Sequence, residues 1–210
     1  MIEKLRELMD AHCPGWVPQV IADIGANNGE QTVELARLFP TSTILALECY
    51  TGVWPECLER VSKCPNVIML PLAVSDVNGP IRFFNPMTKN KGYGSIYQPT
   101  GTYPVEPTPS EETAVCSIRL DTLCRGLHLP GIDLFWLDAQ GGELVILQSA
   151  GSLLNETKVI WTEYMVQPIY INQPLVGDLS VFLASHNFQC VWNQEECSAW
   201  WGDACFMRSK

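Results

Sequence analysis

"VIADIGANNGEQTVELARLF", residues 20–39, holds the start of a fold and the question of its ligand in one stretch. The apolar run Val20-Ile21-Ala22 leads to a carboxylate at Asp23, and the chain then breaks over Gly25 and Gly29. Beyond the break, apolar residues recur at helical spacing through Val33, Leu35, Ala36 and Phe39. A buried strand, a glycine turn and an amphipathic helix open a βαβ unit. In open α/β sheets a ligand lies beyond the carboxyl ends of the strands, where the turn's N–H groups and the helix dipole point.

The chemistry of the turn narrows that ligand. A triphosphate loop requires Lys and then Ser or Thr after its last glycine, whereas Glu30 and Gln31 follow Gly29 here. A dinucleotide fingerprint requires a middle glycine where the backbone meets the pyrophosphate, and Asn27 stands in that place. An NAD-binding Rossmann oxidoreductase is therefore the second reading. Asp23 puts negative charge beside the cradle, which favours a ligand carrying an ammonium or sulfonium group. Glu48, ending the run "LALE", can accept hydrogen bonds from both hydroxyls of a ribose. Acid, glycine turn, then acid one unit later is the pattern of S-adenosylmethionine binding. The residues assigned to this cofactor and its product S-adenosylhomocysteine are Asp23, Gly25, Ala26, Asn27, Asn28, Gly29, Thr32, Glu48, Cys49, Ala73 and Asp138.

Outward from the turn the βαβ rhythm continues. Strand-like runs occupy 19–24, 42–48, 66–74, 132–138 and 158–164, and helical patterns fall at about 29–39, 53–63, 142–150 and 174–186. Two late runs, 188–193 and 203–208, are too close for a helical crossover and are expected to pair antiparallel. Two short strands, "PIRFF" and "AVCSIRL", bracket a stretch rich in Pro, Gly and Thr, so residues 85–113 are expected to form a β-hairpin-like insertion. Within it Tyr93, Ser95, Tyr97 and Tyr103, with Lys89 and Lys91, suit a polyol or ring substrate, and Gly92 and Gly94 would let it close as a lid. Trp200 and Trp201 read as packing residues.

Composition bounds the rest. The 210 residues are 47% hydrophobic and 17% charged, which fits one domain (1–210) with an N-terminal helix and linker at 1–17. A net charge of −10 and no basic stripe argue against nucleic acid. The nine cysteines form no Cys-x-x-Cys pair, which points to free thiols in a reducing, cytoplasmic setting. No run has the length of a membrane span, so no membrane partner is expected.

The ordered set "DIGANNG" (23–29), "LE" (47–48), "NVIMLPLAVSDVNGPIRF" (66–83), "SIRLDTL" (117–123), "IDLFWLDAQGGELVILQSA" (132–150) and "VIWTEY" (159–164) resembles the FkbM family of S-adenosylmethionine-dependent methyltransferases. That resemblance implies a Rossmann-like class I methyltransferase fold: a mostly parallel seven-stranded sheet with an antiparallel last strand and helices on both faces. It also implies O-methylation of a hydroxyl on a small molecule such as a sugar or polyketide-like metabolite. The family pattern Lys-Ile-Asp-Val-Glu-Gly reads Trp136-Leu137-Asp138-Ala139-Gln140-Gly141 here, so a lysine and a glutamate are replaced. A domain that binds the cofactor without catalysing transfer is a third reading, motivated by those two replacements.

Methyl transfer needs orientation, exclusion of water and an acceptor for the hydroxyl proton. His12, His128 and His186 lie away from the carboxyl ends of the strands. Asp138 and Glu163 end neighbouring strands and are the candidate catalytic residues. A divalent metal held by both is possible but not expected, because Gln140 replaces a carboxylate. Oligomeric state is not legible.

Overall fold

The computed structural model describes residues 1–87, 91–101, 110–194 and 199–209. In chain order the elements are α1 (Ile2–His12), β1 (Val20–Ile24), α2 (Glu30–Leu38), β2 (Thr43–Leu47), α3 (Trp54–Val61), β3 (Val67–Leu70), β4 (Ala73–Val74), β5 (Gly79–Pro86) and β6 (Ser110–Ile118). They continue through α4 (Leu120–Gly126), β7 (Leu134–Leu137), α5 (Glu143–Ala150), β8 (Val159–Met165), α6 (Val176–Ser185), β9 (Phe188–Asn193) and β10 (Trp201–Arg208).

Seven strands form one sheet in the order β3-β2-β1-β7-β8-β10-β9. Pairing is parallel from β3 across to β8, and β10 runs antiparallel to both β8 and β9. The expected class I methyltransferase architecture is therefore present. Its two faces follow the two-residue period of the strands. Ala22, Leu45, Phe135 and Ile160 face α4, α5 and α6, packing with Leu123, Ile146 and Leu183. Ile21, Ile44, Trp136 and Trp161 face α1 and α2, packing with Leu5, Met9 and Leu35. Full burial of Leu5 on α1 contributes about 1.5–3 kcal/mol, enough to keep this helix docked over the sheet.

Differences from the sequence reading are local. The run 66–74 is two strands, not one: β3 joins the large sheet and β4 joins a second sheet of order β4-β6-β5. Pro71 lacks the N–H a continuing ladder needs, and Leu72 instead turns back to donate to the Leu70 carbonyl at 2.9 Å. The run "AVCSIRL" leaves the strand at Ile118, and Leu120 opens α4, where Leu120, Leu123 and Cys124 are buried at helical spacing. Two turns of helix give too short a periodic signal beside a longer β-branched run.

The insertion is a hairpin. β5 and β6 pair antiparallel from Gly79↔Ser117 to Pro86↔Ser110, so strands extend into its expected flanks. Residues 91–101 fold back over the carboxyl ends of the large sheet, held by bridges Phe84↔Ser95 and Pro99↔Tyr170. Lys89 and Tyr103 lie outside the described residues.

Candidate active site

The end of β1 meets the end of β7 so closely that a Cβ on Gly25 would stand 1.9 Å from the Asp138 carbonyl oxygen, and Gly25 has φ +90°. Only glycine fits there. Asn27 follows in a left-handed conformation, φ 48°, which frees its N–H to donate to Glu48 Oε2 at 2.9 Å. Gly29, φ +80°, starts α2 and packs against Cys57 and Val61 of α3.

Around this turn a cavity opens, lined on the sheet side by Gly25, Asn27, Glu48, Cys49, Ala73 and Asp138. Not every assigned residue reaches it. Asp23 and Thr32 are buried beneath the turn, where the Thr32 hydroxyl donates to Asp23 Oδ2. Asn28 faces α3, its carbonyl accepting from Arg60 at 2.9 Å, and Ala26 is buried within the turn. These residues shape the cradle rather than line it. Tyr50, Leu72, Phe83 and Ile146 line the cavity and were not foreseen, because their apolar side chains look like ordinary core in a sequence.

Glu48 is oriented by backbone donors, with Tyr50 N–H on Oε1 at 2.6 Å and Asn27 N–H on Oε2. Each oxygen keeps a further lone pair for a ligand hydroxyl. Burial raises the Glu48 carboxyl, and the backbone hydrogen bonds counter that rise. Burial also pushes the Cys49 thiol up, so it is a neutral wall and not a nucleophile. The roof comes from the insertion: Lys91, Gly92, Gly94 and Ile96 line the cavity, and Lys91 Nζ donates to the Gly52 carbonyl at 2.7 Å.

Beside the cradle, Asp138 and Glu163 are brought together by the residue between them. Gln140 Nε2 donates to Asp138 Oδ1 and to Glu163 Oε2, both at 2.9 Å, while its Oε1 accepts from the Tyr170 hydroxyl at 3.0 Å. Glu163 is held well above the usual carboxylate range by burial first, and then by the negative charges of Asp138, Glu143 and Asp203. Asp138 is raised by burial, with Gln140 and Glu163 opposing the rise through hydrogen bonds. Of the two, Glu163 is therefore the more strongly opposed to ionisation. Glu143 braces the loop beneath, accepting from Ala139 and Gly141 N–H groups.

The expected substrate residues divide. Tyr93 lines a small cavity beside Gln140 and Glu163. Ser95 does not reach it, because its buried hydroxyl donates to the Gln140 carbonyl at 2.7 Å and pins the insertion down. Tyr97 packs against the cluster of Met165, Ile169 and Tyr170. Among the described residues no histidine lines the cavities named here.

Residues 23–190 match the Methyltransferase FkbM domain. The chain belongs to the FkbM methyltransferase family. It is 31% identical over 165 residues to the 2-O-methyltransferase NoeI of Sinorhizobium fredii (strain NBRC 101917 / NGR234), an alignment covering 73% of this chain and 66% of that protein, so just under two thirds of the relative is spanned. Among solved structures, the N-terminal domain of EvdMO1 with SAH bound superposes with a TM-score of 0.54 at 14% identity, covering 100% of this chain and 81% of that one. Magnesium protoporphyrin IX methyltransferase of Synechocystis PCC 6803, with bound SAM, gives 0.53 at 8% identity, covering 99% and 78%. At such identities these two likenesses speak for the fold of this FkbM family member. No described helix is long and apolar enough to cross a membrane.

The Gln140 clamp bears on a metal. A cation between Asp138 and Glu163 needs oxygen ligands, but the position between them is filled by an amide presenting N–H donors. The residues present do not fit an ion there. Gln140→Glu would supply a third carboxylate at that point, and calcium or magnesium is then expected to raise the variant's Tm while leaving the wild type unchanged. Differential scanning fluorimetry checks this; a variant blind to both ions would show that the corner cannot open to a ligand shell.

Buried carboxyls also set the response to pH. Burial raises Asp23 from 3.8 to about 7, Glu143 from 4.5 to about 7 and Asp203 from 3.8 to about 6. Between the unfolded and folded values the folded chain binds more protons, so stability falls as pH rises through about 4 to 7. Tm is expected to be higher at pH 6 than at pH 8, and Asp23→Asn to flatten the difference and raise Tm at pH 8. An unchanged slope in that variant would mean that Asp23 is ionised throughout.

Proposed function

We propose that the protein is an S-adenosylmethionine-dependent O-methyltransferase acting on a hydroxyl of a small molecule such as a sugar or polyketide-like metabolite. The observation that carries this reading is the convergence on one residue, Asp138, of the cavity at the glycine turn and a buried carboxyl pair: Asp138 lines that cavity beside Gly25 and Glu48 and is bridged to Glu163 through Gln140.

The residues fit the cofactor. Glu48 would hold the ribose hydroxyls, and the close backbone at Gly25 and Asn27 would admit the methionine portion, for which the acidic side chains lining the cradle, Glu48 and Asp138, favour positive charge. When bound, the cofactor supplies a methyl group on a sulfonium, activated for displacement. The roof at 91–96 excludes water. An acceptor hydroxyl placed beside the cradle would give its proton to the Asp138–Glu163 pair, whose buried position makes it a stronger base than an exposed carboxylate once ionised. Gln140 fixes both carboxyls, and Tyr170 fixes Gln140.

The name of the NoeI relative, with oxygen at a numbered position of its substrate, supports transfer to oxygen. Incubation with S-adenosylmethionine carrying a labelled methyl group and a panel of hydroxylated sugars and polyketide alcohols tests the proposal. Label in a methyl ether is the expected result. Label in an amine or at carbon, or none in the presence of tight cofactor binding, would contradict it.

A further inference from the structure

Three cavities meet at the corner formed by Asp138, Gln140 and Glu163. Besides the cradle, a cavity of about 70 Å³ lies under the insertion between Tyr93, Tyr170 and Ile169. Another, of about 440 Å³, opens on the α1 side and is walled by Trp136, Trp192 and Trp201 with Asp138, Glu163 and Asp203. We propose that the α1-side cavity is the acceptor pocket, and that it takes a neutral pyranose ring stacked on Trp192 and Trp201, the partly exposed tryptophans of its lining, with its hydroxyls turned to Glu163 and Asp203. This rests on the methyltransferase reading above.

Size and access favour this side. At about 440 Å³ the α1-side cavity is the roomier of the two. Under the insertion, the space is narrowed by Ser95 on the Gln140 carbonyl, by the Tyr170 hydroxyl on Gln140 Oε1 and by the Pro99↔Tyr170 bridge. Position favours it too, because Asp138 lines both the α1-side cavity and the cradle. A hydroxyl held against Asp138 therefore borders the space where the methyl group is delivered.

The lining selects the chemistry. Trp136, Trp161 and Trp192 stack with ring centroids 5.0 and 4.9 Å apart, and Trp136 Nε1 is fixed by Gln31 Oε1 at 2.8 Å. The buried pair Trp136–Trp161 thus backs and stiffens Trp192, which with Trp201 is partly exposed in the lining. The C–H face of a pyranose is apolar and weakly positive, complementary to the negative face of an indole, while its rim of hydroxyls demands acceptors. Asp203 provides one directly opposite Glu163 in the β8–β10 ladder. A phosphorylated or carboxylated acceptor turned to the inner end of the cavity would sit against Asp138 and Asp203, with the cations of the lining, Lys4 and the Met1 ammonium, facing them. A fully apolar acceptor would leave those carboxyls without partners. Methylation itself balances as before: the O–H bond breaks, an O–C bond forms, the S–C bond breaks and the proton goes to the carboxyl pair.

The test uses the full chain saturated with S-adenosylhomocysteine and titrated with methyl pyranosides of common neutral hexoses and 6-deoxyhexoses, read by tryptophan fluorescence. Methyl transfer from S-adenosylmethionine to the same probes is followed in parallel. At least one pyranoside is expected to quench fluorescence and accept a methyl group. Trp192→Ala and Asp203→Asn should each raise its KM about 10-fold, the equivalent of one stacking or hydrogen-bond contact, with S-adenosylhomocysteine affinity held within about 2-fold. Trp192→Phe should recover most of the loss, which separates stacking from misfolding. Tyr93→Ala should change KM little. A large effect of Tyr93→Ala with none from Trp192→Ala and Asp203→Asn would place the acceptor under the insertion and overturn the proposal. So would tight S-adenosylhomocysteine binding with no pyranoside bound or methylated. Failure of S-adenosylhomocysteine itself to bind would instead bring down the cofactor reading beneath it.

Discussion

Glu48→Ala is expected to weaken S-adenosylhomocysteine binding by about 100-fold, since it removes a charged acceptor for two ribose hydroxyls, and hydrogen bonds to charged groups are worth about 1.5–3 kcal/mol each. The fold should survive, because β2 is fixed by its ladders to β1 and β3 and not by this side chain. The Asn27 and Tyr50 N–H groups lose their acceptor, however, so the turn will loosen as well. Glu48→Gln separates the two effects. Its amide oxygen can still accept from one backbone N–H, so a loss similar to that of Glu48→Ala would assign the energy to the ligand. Calorimetry on both variants gives the answer, and affinities equal to wild type would mean that the ribose lies elsewhere.

Glu163→Gln is expected to lower kcat by about 100-fold while leaving S-adenosylhomocysteine affinity within about 2-fold, the size of effect typical when a general base is removed. The substitution keeps the shape of the side chain and an N–H donor toward Asp138, so the corner should remain assembled. The pH profile carries the more specific signature. In the wild type, kcat should rise with pH as Glu163 ionises, at a pH above the ordinary carboxylate range because burial and three neighbouring acids oppose ionisation. In Glu163→Gln that rise should move to lower pH, because the group left to titrate is Asp138, which burial raises less far than Glu163. Full activity in the variant, with an unmoved profile, would assign proton transfer to solvent.

Much of this was legible in the amino-acid sequence, for identifiable reasons. The parallel core showed because β1, β2, β7 and β8 are buried on both faces and so read as unbroken apolar runs. Gly25 showed because close backbone approach demands glycine, and Glu48 showed as a lining residue because a carboxylate at the end of a parallel strand stands where ligands bind. What did not show is whatever depends on which way a side chain turns. Ser95 looked like a substrate donor and is a structural pin; Trp201 looked like packing and also lines a cavity. Asp203 gave no signal at all, since its importance comes from a cross-strand register with Glu163, 40 residues earlier. Gln140 was visible only as a departure from a family pattern. Its role as a clamp between two acids depends on a left-handed backbone, φ 52°, that spacing does not reveal.

The measurement that tests the central claim most directly is calorimetric titration of the wild-type chain with S-adenosylhomocysteine, with NADH titrated in parallel. The cradle built from Gly25, Asn27 and Glu48 predicts stoichiometric binding of the thioether nucleoside, undisturbed by removal of divalent metal, and no heat from NADH. Binding of NADH alone, or of neither nucleoside by a folded sample, would contradict the assignment of this turn and the methyl-transfer chemistry built on it.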